Sequence, residues 1–388
     1  MPVVNICGMQ PVAELVPGPR ALDPTAGVVG AWRALAVAAG NAFVSPEWVA
    51  TWSRHHGADA DVRVVVVRGA DQEILGILPV SVRGRTIRVA GAELADHLEL
   101  LARPEDQVAV AGAAGRALAE AFPRAHLRLL RIDRNAPWVD ALASGWSPRL
   151  NGAQLREDVL PQLALPATWD EFLAGRSRNF RNQVGRKERN LVRKHGAVFR
   201  RTEDPHSLPA DMKTFFALHE GRWADDDITS SLLEPRTQLF HGDFAAAALE
   251  QGWLRLWFLE ADGQEVATIY GWTVGDRACY FNAGWDPRWS GESVGLVLLA
   301  HAVRSAIEEG AAVYDFLLGD EQYKYRFASD ERPVESVQLA RPLSRARMSL
   351  RIAQGRRRVT RMVPPEQRAR IKSRLGPAAN LVPGARRG

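Results

Sequence analysis

The sequence is poor in cysteine, because only Cys7 and Cys279 occur among its 388 residues. Two cysteines this far apart make neither a disulfide framework nor a zinc site. Cys279 lies in a strand-like run and is expected to be a small core residue. The pattern His-Glu-x-x-His is also absent, so no metal site is expected.

Long hydrophobic runs are lacking as well. No stretch approaches the roughly 18 to 20 apolar residues that cross a bilayer, and the N-terminus has no basic region followed by an apolar core. A cytoplasmic protein is therefore expected. With 46% hydrophobic and 24% charged residues, the composition is that of a globular protein, and the length allows two or three domains of about 150 residues.

The chain has none of the common nucleotide-binding or hydrolase motifs. A Walker loop, a dinucleotide fingerprint and a Gly-x-Ser-x-Gly nucleophile elbow are all missing. The acid run at 225–227 is expected to be a solvated loop rather than a cation site. Three histidines fall on predicted helices, where a hydrogen-bonded or exposed ring is usual: His219, His241 and His301. No covalent nucleophile is indicated, which leaves direct transfer from a bound donor to a nucleophilic acceptor.

Positive charge is concentrated in two places. Residues 341–388 carry fourteen Lys or Arg and one acid, Glu366, a net charge of +13, so the rest of the chain totals −8. Residues 176–194 carry eight Lys or Arg and one acid, Glu188. Phe180, Val184 and Leu191 can share one face of a helix there, which predicts a docked helix with a basic outer side. Either segment is a solvated basic surface or contacts phosphate of a coenzyme, tRNA or an acidic membrane.

Secondary-structure signals occur twice in the same order. Ser45 before Pro46 predicts the start of a helix that ends near His56. Strands are expected at 62–68, 73–82 and 85–90, then a helix at 113–121, a strand at 126–132 and a helix at 137–143. The second series has helices at 211–223 and 239–251, strands at 253–260, 266–274 and 278–284, a helix at 294–309 and a closing strand at 334–339.

These series predict an α/β (α+β) protein with two similar units in tandem. We expect an N-terminal lead-in over 1–40, a first unit over 41–166 and a basic helical connector over 167–207. A second unit is expected over 208–342 and a basic helical tail over 343–388.

The stretch from Val313 to Phe327 combines a strand-like run containing one acid, Val313 to Leu318, with a second half that predicts a short helix rich in Tyr and Lys. Ionised carboxylates are costly to bury unless paired, so Asp315 is either a base with a raised pKa or a structural partner of Lys324 or an arginine. Glu220 is a second candidate base, and Tyr323 is a candidate acid for the leaving group.

The turn from Trp285 to Gly295 joins a predicted strand to a predicted helix. Glycines and unpaired N–H groups at a helix start suit a pyrophosphate, although such turns are also common without any ligand. Ser293 is a candidate cap for that helix. Tyr270 and Asn282, on neighbouring predicted strands, are candidates for the acceptor pocket.

Four segments together resemble a known family, the cellulose-biosynthesis (CelD-like) acetyltransferases of the GNAT superfamily, which are related to FemAB-like aminoacyl transferases. The segments are His219-Glu-Gly-Arg222-Trp223, Phe281-Asn-Ala-Gly-Trp-Asp286, Ser293-Val-Gly295-Leu296 and Tyr314-Asp-Phe-Leu-Leu-Gly-Asp-Glu-Gln-Tyr-Lys324. The resemblance spans about residues 40–342 and implies tandem GNAT-like domains, each with a mixed, largely antiparallel sheet flanked by helices. The turn lacks the fuller Arg/Gln-x-x-Gly-x-Gly/Ala spacing of typical GNAT enzymes.

The resemblance implies an acyl-CoA-dependent N-acyltransferase that acts on a small amine, amino sugar or amino acid. It places the coenzyme at Ser293, Val294, Gly295 and Leu296 and the acyl end near Ala283 and Gly284. The expected substrate-binding residues are Arg222, Trp223, Tyr270, Asn282 and Lys324. Two alternatives stay open: an aminoacyl-tRNA-dependent transferase that holds tRNA on its basic segments, and a non-catalytic scaffold in polysaccharide or natural-product assembly.

Overall fold

The computed structural model describes residues 11–147, 151–223 and 230–341, without the side chains of Asn151 and Trp223. The basic tail and the acid run at 225–227 lie outside the described residues. The strands are β1 Val12–Pro17, β2 Asp61–Arg68, β3 Ile74–Arg83, β4 Thr86–Val89, β5 Leu101–Ala102, β6 His126–Asp133, β7 Asn151–Ala164, β8 Val198–Arg201, β9 Leu254–Ala261, β10 Gln264–Val274, β11 Arg277–Trp285, β12 Val313–Asp315 and β13 Asp330–Ala340. The helices are α1 Gly18–Ala21, α2 Val28–Ala39, α3 Pro46–His56, α4 Gln107–Ala121, α5 Pro137–Trp146, α6 Trp169–Ala174, α7 Arg178–His195, α8 Leu208–Trp223, α9 Pro235–Glu250 and α10 Val294–Glu308.

The strands form one continuous sheet in the order β1-β2-β3-β4-β6-β13-β7-β12-β11-β10-β9-β8, with β5 paired to β3. In the N-terminal half, β1 to β4 are antiparallel neighbours and β4 pairs in parallel with β6, the strand that follows α4. In the C-terminal half, β8 to β11 are antiparallel neighbours and β11 pairs in parallel with β12, the strand that follows α10. The predicted tandem of largely antiparallel units flanked by helices is confirmed.

The two units exchange their last strands at the centre of the sheet. β13, the last strand of the second unit, pairs antiparallel with β6 of the first unit. β7, from the first unit, pairs antiparallel with β12 of the second, and β7 and β13 pair with each other. Each half therefore completes its sheet with a strand of the other.

An aromatic cluster joins the halves on one face of the sheet. Trp48 of α3 lies with its ring 4.8 Å from the rings of both Phe240 and Phe244 of α9. Phe43 stacks edge-on against Trp48 and Trp272, and all five side chains are buried. Such rings bury large apolar areas, so the contact between the halves has a hydrophobic core.

The segment assigned to a lead-in is part of the first unit. β1 pairs with β2 along its whole length, and Trp32 of α2 is fully buried and donates a hydrogen bond to the Val44 carbonyl, 2.7 Å away. The Pro and Gly residues there mark the ends of these short elements rather than a frayed chain. Residues 12–39 of the expected lead-in are therefore structured and pack as part of the first unit.

The basic connector contains the helix predicted from its apolar spacing. Phe180, Val184 and Leu191 of α7 are buried, and Ser177 caps the first turn by accepting from the Phe180 amide. The connector also holds β8, which extends the C-terminal half of the sheet beside β9. No helix among the described residues is both long and apolar enough to cross a membrane.

Candidate active site

β11 and β12 run side by side for only three residue pairs and then separate. The last pair is Cys279 with Asp315, and β11 continues to Trp285 beside β10. Leu317 adopts a left-handed backbone conformation, with φ of +55°, and Gly319 has φ of +119°. These two residues turn the chain out of the sheet, because left-handed geometry cannot continue a strand. The predicted strand 313–318 is thus correct only for its first half.

The gap between these strands opens into a cavity of about 720 Å³ that both halves enclose. Its lining includes four of the predicted site residues, Arg222, Asn282, Tyr323 and Lys324. It also includes residues that were not predicted as site residues, from β7, α8, α9, β11 and the loops around them: Arg156, Glu157, Asp158, His219, Ser230, Thr237, His241 and Tyr280. A volume of this size is in the usual range for a small-molecule site.

The cavity wall carries more carboxylates than cations. Six acidic side chains line it, namely Glu93, Asp96, Glu157, Asp158, Asp320 and Glu321, against four basic ones, namely Arg134, Arg156, Arg222 and Lys324. Several are paired with each other, with 2.6 Å between Arg156 and Asp158. The surplus of negative charge favours a cationic or amine-bearing ligand.

Asp315 does not belong to the described lining of this cavity. Its Oδ2 accepts from Gln162 Nε2 at 2.7 Å and from Arg277 Nη1 at 3.2 Å, and its Oδ1 accepts from the Leu317 amide at 2.9 Å. The side chain is 3% exposed. These contacts favour a structural role, in which Asp315 fixes the end of β12, over the role of a base.

Lys324 is paired differently from the expectation. Its Nζ donates to the Leu318 carbonyl at 2.6 Å and lies 2.9 Å from Glu321. Lys324 begins a 3₁₀ turn, Lys324–Arg326, in place of the expected short α-helix. The lysine therefore ties together the loop that leaves the sheet, while Arg277 is the cation beside Asp315.

Tyr323 lies at the cavity wall next to a second tyrosine and an arginine. Its hydroxyl donates to the Tyr280 hydroxyl at 3.2 Å, and the Arg222 guanidinium carbon lies 5.7 Å from its ring. Burial raises the pKa of Tyr323 well above its usual value, so the hydroxyl keeps its proton at neutral pH. The arrangement gives a proton donor and a cation side by side.

Glu220 and Tyr270 do not face the cavity. Glu220 is exposed on the outer side of α8, one residue away from His219, which faces inward. Tyr270 of β10 is completely buried against α8 and α9, with its hydroxyl 3.5 Å from the His241 carbonyl, and burial raises its pKa. Trp223 ends α8, and its side chain lies outside the described part of the chain.

His219 is the functional candidate that the sequence analysis set aside. It is 2% exposed and links the end of α8 to β11 and to Ser230, with 3.0 Å from Nδ1 to the Ala283 carbonyl and 3.0 Å from Nε2 to Ser230 Oγ. Burial lowers its pKa, as does the nearby Arg222 charge, although the hydrogen bond to Ala283 opposes this. The helical position alone gave no signal, because many buried histidines occur on helices.

The residues predicted to hold the coenzyme form the start of α10 and the neighbouring strand. Ser293 has φ of +58°, and its side chain makes no capping hydrogen bond to the described helix. Gly295 faces Trp285, since an added methyl group would lie 3.2 Å from that ring. Gly284 lies against α8, where an added methyl group would be 2.3 Å from the His219 amide nitrogen.

The basic helix α7 reaches this turn. Lys187 Nζ donates to the Gly291 carbonyl at 2.5 Å and lies 3.5 Å from Glu292. The free N–H groups at the start of α10 and the Lys187 charge therefore lie near each other, and both favour an anion. Within residues 11–147, 151–223 and 230–341, no three His, Cys, Asp or Glu side chains converge to hold a metal ion.

Comparison with known proteins gives one family and a set of related folds. Residues 178–325 match the model of an acetyltransferase (GNAT) domain, and no curated protein matches the chain. FemX superposes with a TM-score of 0.58 at 12% identity, over 80% of this chain and 95% of its own. The C-terminal domain of a putative lysylphosphatidylglycerol synthetase from Agrobacterium fabrum gives 0.51 at 14% identity, over 80% and 91%. The L-PGS structure from Bacillus licheniformis gives 0.50 at 12% identity, over 80% and 96%.

At these identities the solved structures show a shared fold alone. The type of reaction, acyl transfer, is indicated by the family match. The prediction of an acyltransferase is confirmed at that level, whereas the narrower CelD-like resemblance stays a prediction. Residues 178–325 match a GNAT acetyltransferase domain, and this match identifies the protein as an acyltransferase.

Proposed function

We propose that the protein is an acyl-CoA-dependent N-acyltransferase that transfers the acyl group directly to an amine in the central cavity. The observation that carries the proposal is the separation of β11 from β12 directly beside that cavity. An acyl-CoA bound in the gap would place its carbonyl carbon next to the amine in the cavity, so both reactants are bound at the same time. Positioning of this kind is a large part of catalysis in bimolecular transfer.

The donor end of the site consists of α10 and α7. Backbone N–H groups of Val294 and Gly295 at the start of α10 suit the pyrophosphate, and Lys187 beside Gly291 adds a positive charge. The acyl end then lies along β11 towards Tyr280 and Asn282. α8 supports this strand at Ala283 and Gly284, because His219 binds the Ala283 carbonyl and α8 packs on Gly284.

The leaving thiolate receives its proton from Tyr323 in this proposal. The tyrosine keeps its proton at neutral pH, lies at the cavity wall and has Arg222 close to its ring. The positive charge of Arg222 stabilises the negative charge that develops on the thioester oxygen and sulfur. The acidic surplus of the lining holds the amine acceptor, whose identity we place among small amines, amino sugars and amino acids.

Calorimetry with acetyl-CoA and longer acyl-CoAs tests the proposal. We expect binding of at least one of them, weakened by Gly295→Ala, because the added methyl group crowds Trp285. Gly242→Ala is the matched control, since a methyl group there meets nothing within 4 Å. The absence of any acyl-CoA binding to folded protein would refute the donor assignment.

A second candidate is an aminoacyl-tRNA-dependent transferase, favoured by the outer face of α7. Arg178, Arg186 and Arg189 are exposed there and have no carboxylate partner among the described residues. A row of such arginines suits a phosphate backbone. This candidate requires RNA binding that weakens steeply with salt, whereas salt-independent behaviour would exclude it.

A further inference from the structure

His219 and Ser230 form a hydrogen-bonded pair in the wall of the central cavity. Both line it, His219 from the last turn of α8 and Ser230 from the residue before a 3₁₀ turn, Ser231–Leu233. His219 is held against β11 on one side and against Ser230 on the other. The pair therefore connects the strand that borders the donor gap to the space for the acceptor.

The contacts of His219 fix where its proton lies. The Ala283 carbonyl oxygen can only accept a hydrogen bond, so Nδ1, 3.0 Å away, carries the hydrogen. In the neutral ring Nε2 then has a lone pair, which accepts from the Ser230 hydroxyl at 3.0 Å. A proton acceptor needs this tautomer, in which the lone pair of Nε2 faces Ser230 in the cavity wall.

Ser230 is able to pass a proton from a ligand to the ring. A hydroxyl oxygen has one hydrogen and two acceptor positions. The hydrogen points to His219, and one acceptor position takes the Leu232 amide, 3.3 Å away. The second acceptor position suits an N–H group of an amine in the cavity.

We infer that His219 and Ser230 take the proton from the attacking amine, with Ser230 touching the substrate and His219 accepting the proton. This inference rests on the proposed function. The amine nitrogen forms a bond to the acyl carbon while its proton moves to Ser230 Oγ, and the serine proton moves to His219 Nε2. The carbon–sulfur bond breaks, its electron pair stays on sulfur, and the thiolate takes a proton from Tyr323. The products are an amide and a thiol. Protonated His219 then gives its extra proton to solvent, and deprotonated Tyr323 takes a proton from solvent.

A structural role would use the same contacts, because they also attach α8 to β11 and cap the 3₁₀ turn. Two substitutions separate these roles. His219→Asn places an amide N–H near the position of Nδ1 and keeps a donor for the Ala283 carbonyl. His219→Gln places an amide oxygen near the position of Nε2 and keeps an acceptor for Ser230, yet neither amide accepts a proton.

The test measures thermal unfolding, acyl-CoA affinity by calorimetry and single-turnover rate for the wild type and both variants. We expect an unfolding temperature and a donor affinity close to those of the wild type in both variants. The single-turnover rate should be about 10²-fold to 10⁴-fold lower, the usual range for general base catalysis. Ser230→Thr should keep most of the rate and Ser230→Ala should lose it. In addition, imidazole should restore part of the rate of His219→Ala, because the cavity next to the ring admits a small molecule.

Wild-type rates in His219→Asn or His219→Gln would overturn the inference and leave the proposed function standing. The same holds if imidazole fails to restore a folded, donor-binding His219→Ala. Failure of the wild type to bind any acyl-CoA refutes instead the proposed function. The two failures are therefore distinguishable in one set of measurements.

Discussion

Substitution of Asp315 by Asn separates a structural acid from a catalytic one. The change keeps Oδ1, which accepts from the Leu317 amide, but replaces Oδ2 by an NH₂ group. That group faces two donors, Gln162 Nε2 at 2.7 Å and Arg277 Nη1 at 3.2 Å. The glutamine amide can turn its oxygen towards the new donor, whereas the guanidinium has no acceptor to offer.

The cost follows from the loss of one charge-assisted hydrogen bond. Such bonds contribute about 1.5 to 3 kcal/mol, and removing one partner of a fully buried ion pair costs about 3 to 5 kcal/mol. The Arg277 side chain is 22% exposed and can be hydrated in part, so we expect a loss of about 2 to 3 kcal/mol. With an unfolding entropy of about 2.1 cal/mol/K per residue, a fold of this size loses about 3 to 4 °C in Tm.

Urea unfolding, calorimetric Tm and acyl-CoA affinity are the measurements. Asp71→Asn, an exposed turn residue, is the control and should match wild type. Adding Arg277→Met to Asp315→Asn should recover part of the stability, because the double variant no longer holds an unpaired charge at this place. A variant as stable as wild type that binds donor and has lost turnover would refute the structural reasoning and make Asp315 catalytic.

Three further predictions follow from the cavity wall. Tyr323→Phe should lower the single-turnover rate about 10²-fold or more with unchanged donor affinity, whereas Tyr325→Phe, at a more exposed ring, should leave both unchanged; equal rates would exclude Tyr323 as the acid. Gly284→Val should lower the free energy of unfolding by about 1 to 3 kcal/mol or more and lower turnover, because its Cβ would lie 2.3 Å from the His219 amide nitrogen. Gly242→Ala should keep wild-type stability and turnover. A fully active Gly284→Val protein would show that α8 moves freely. Burial lowers the pKa of His241 to about 3, so the unfolded chain takes up a proton below about pH 6.5 that the folded chain does not. The free energy of unfolding should therefore fall as the pH is lowered, by about 2 to 3 kcal/mol from this residue between pH 6.5 and 4.5. His241→Gln should reduce this pH dependence in urea titrations, and an unchanged pH dependence would contradict the lowered pKa of His241.

The periodic elements of the fold were predictable from sequence. Ser45 before Pro46 correctly marked α3, whose cap accepts from the Trp48 amide. The strands expected at 253–260 and 266–274 correspond to β9 and β10. These signals are local, since each depends on side chains within a few positions of one another.

β7 was not predicted, because its residue pattern is that of a cavity wall and not that of a strand buried in an apolar core. Arg156, Glu157 and Asp158 are charged residues in the middle of the strand, and all three line the cavity. A strand in the centre of a large sheet usually shows an apolar pattern. The strand exchange was also invisible, because pairing of β13 with β6 joins residues more than 190 positions apart.

For the site, the sequence indicated several side chains that lie together in the structure, but not their geometry. Arg222, Asn282, Tyr323 and Lys324 line the central cavity, whereas Asp315 is held by Arg277. The sequence indicated Glu220, which is exposed in the structure, whereas the neighbouring His219 lies in the cavity wall. Only the position of β11 shows which of the two faces inward.

The exchange of β7 and β13 also has a consequence for synthesis of the chain on the ribosome. After β7 has been made, about 165 further residues must follow before β13 can fill the place between β6 and β7. At about 5 to 20 residues per second, this interval lasts roughly 10 to 35 s. During that time the edges of β6 and β7 have no strand between them, and such open edges favour aggregation. The nascent first half is therefore the stage at which we expect this protein to depend most on chaperones.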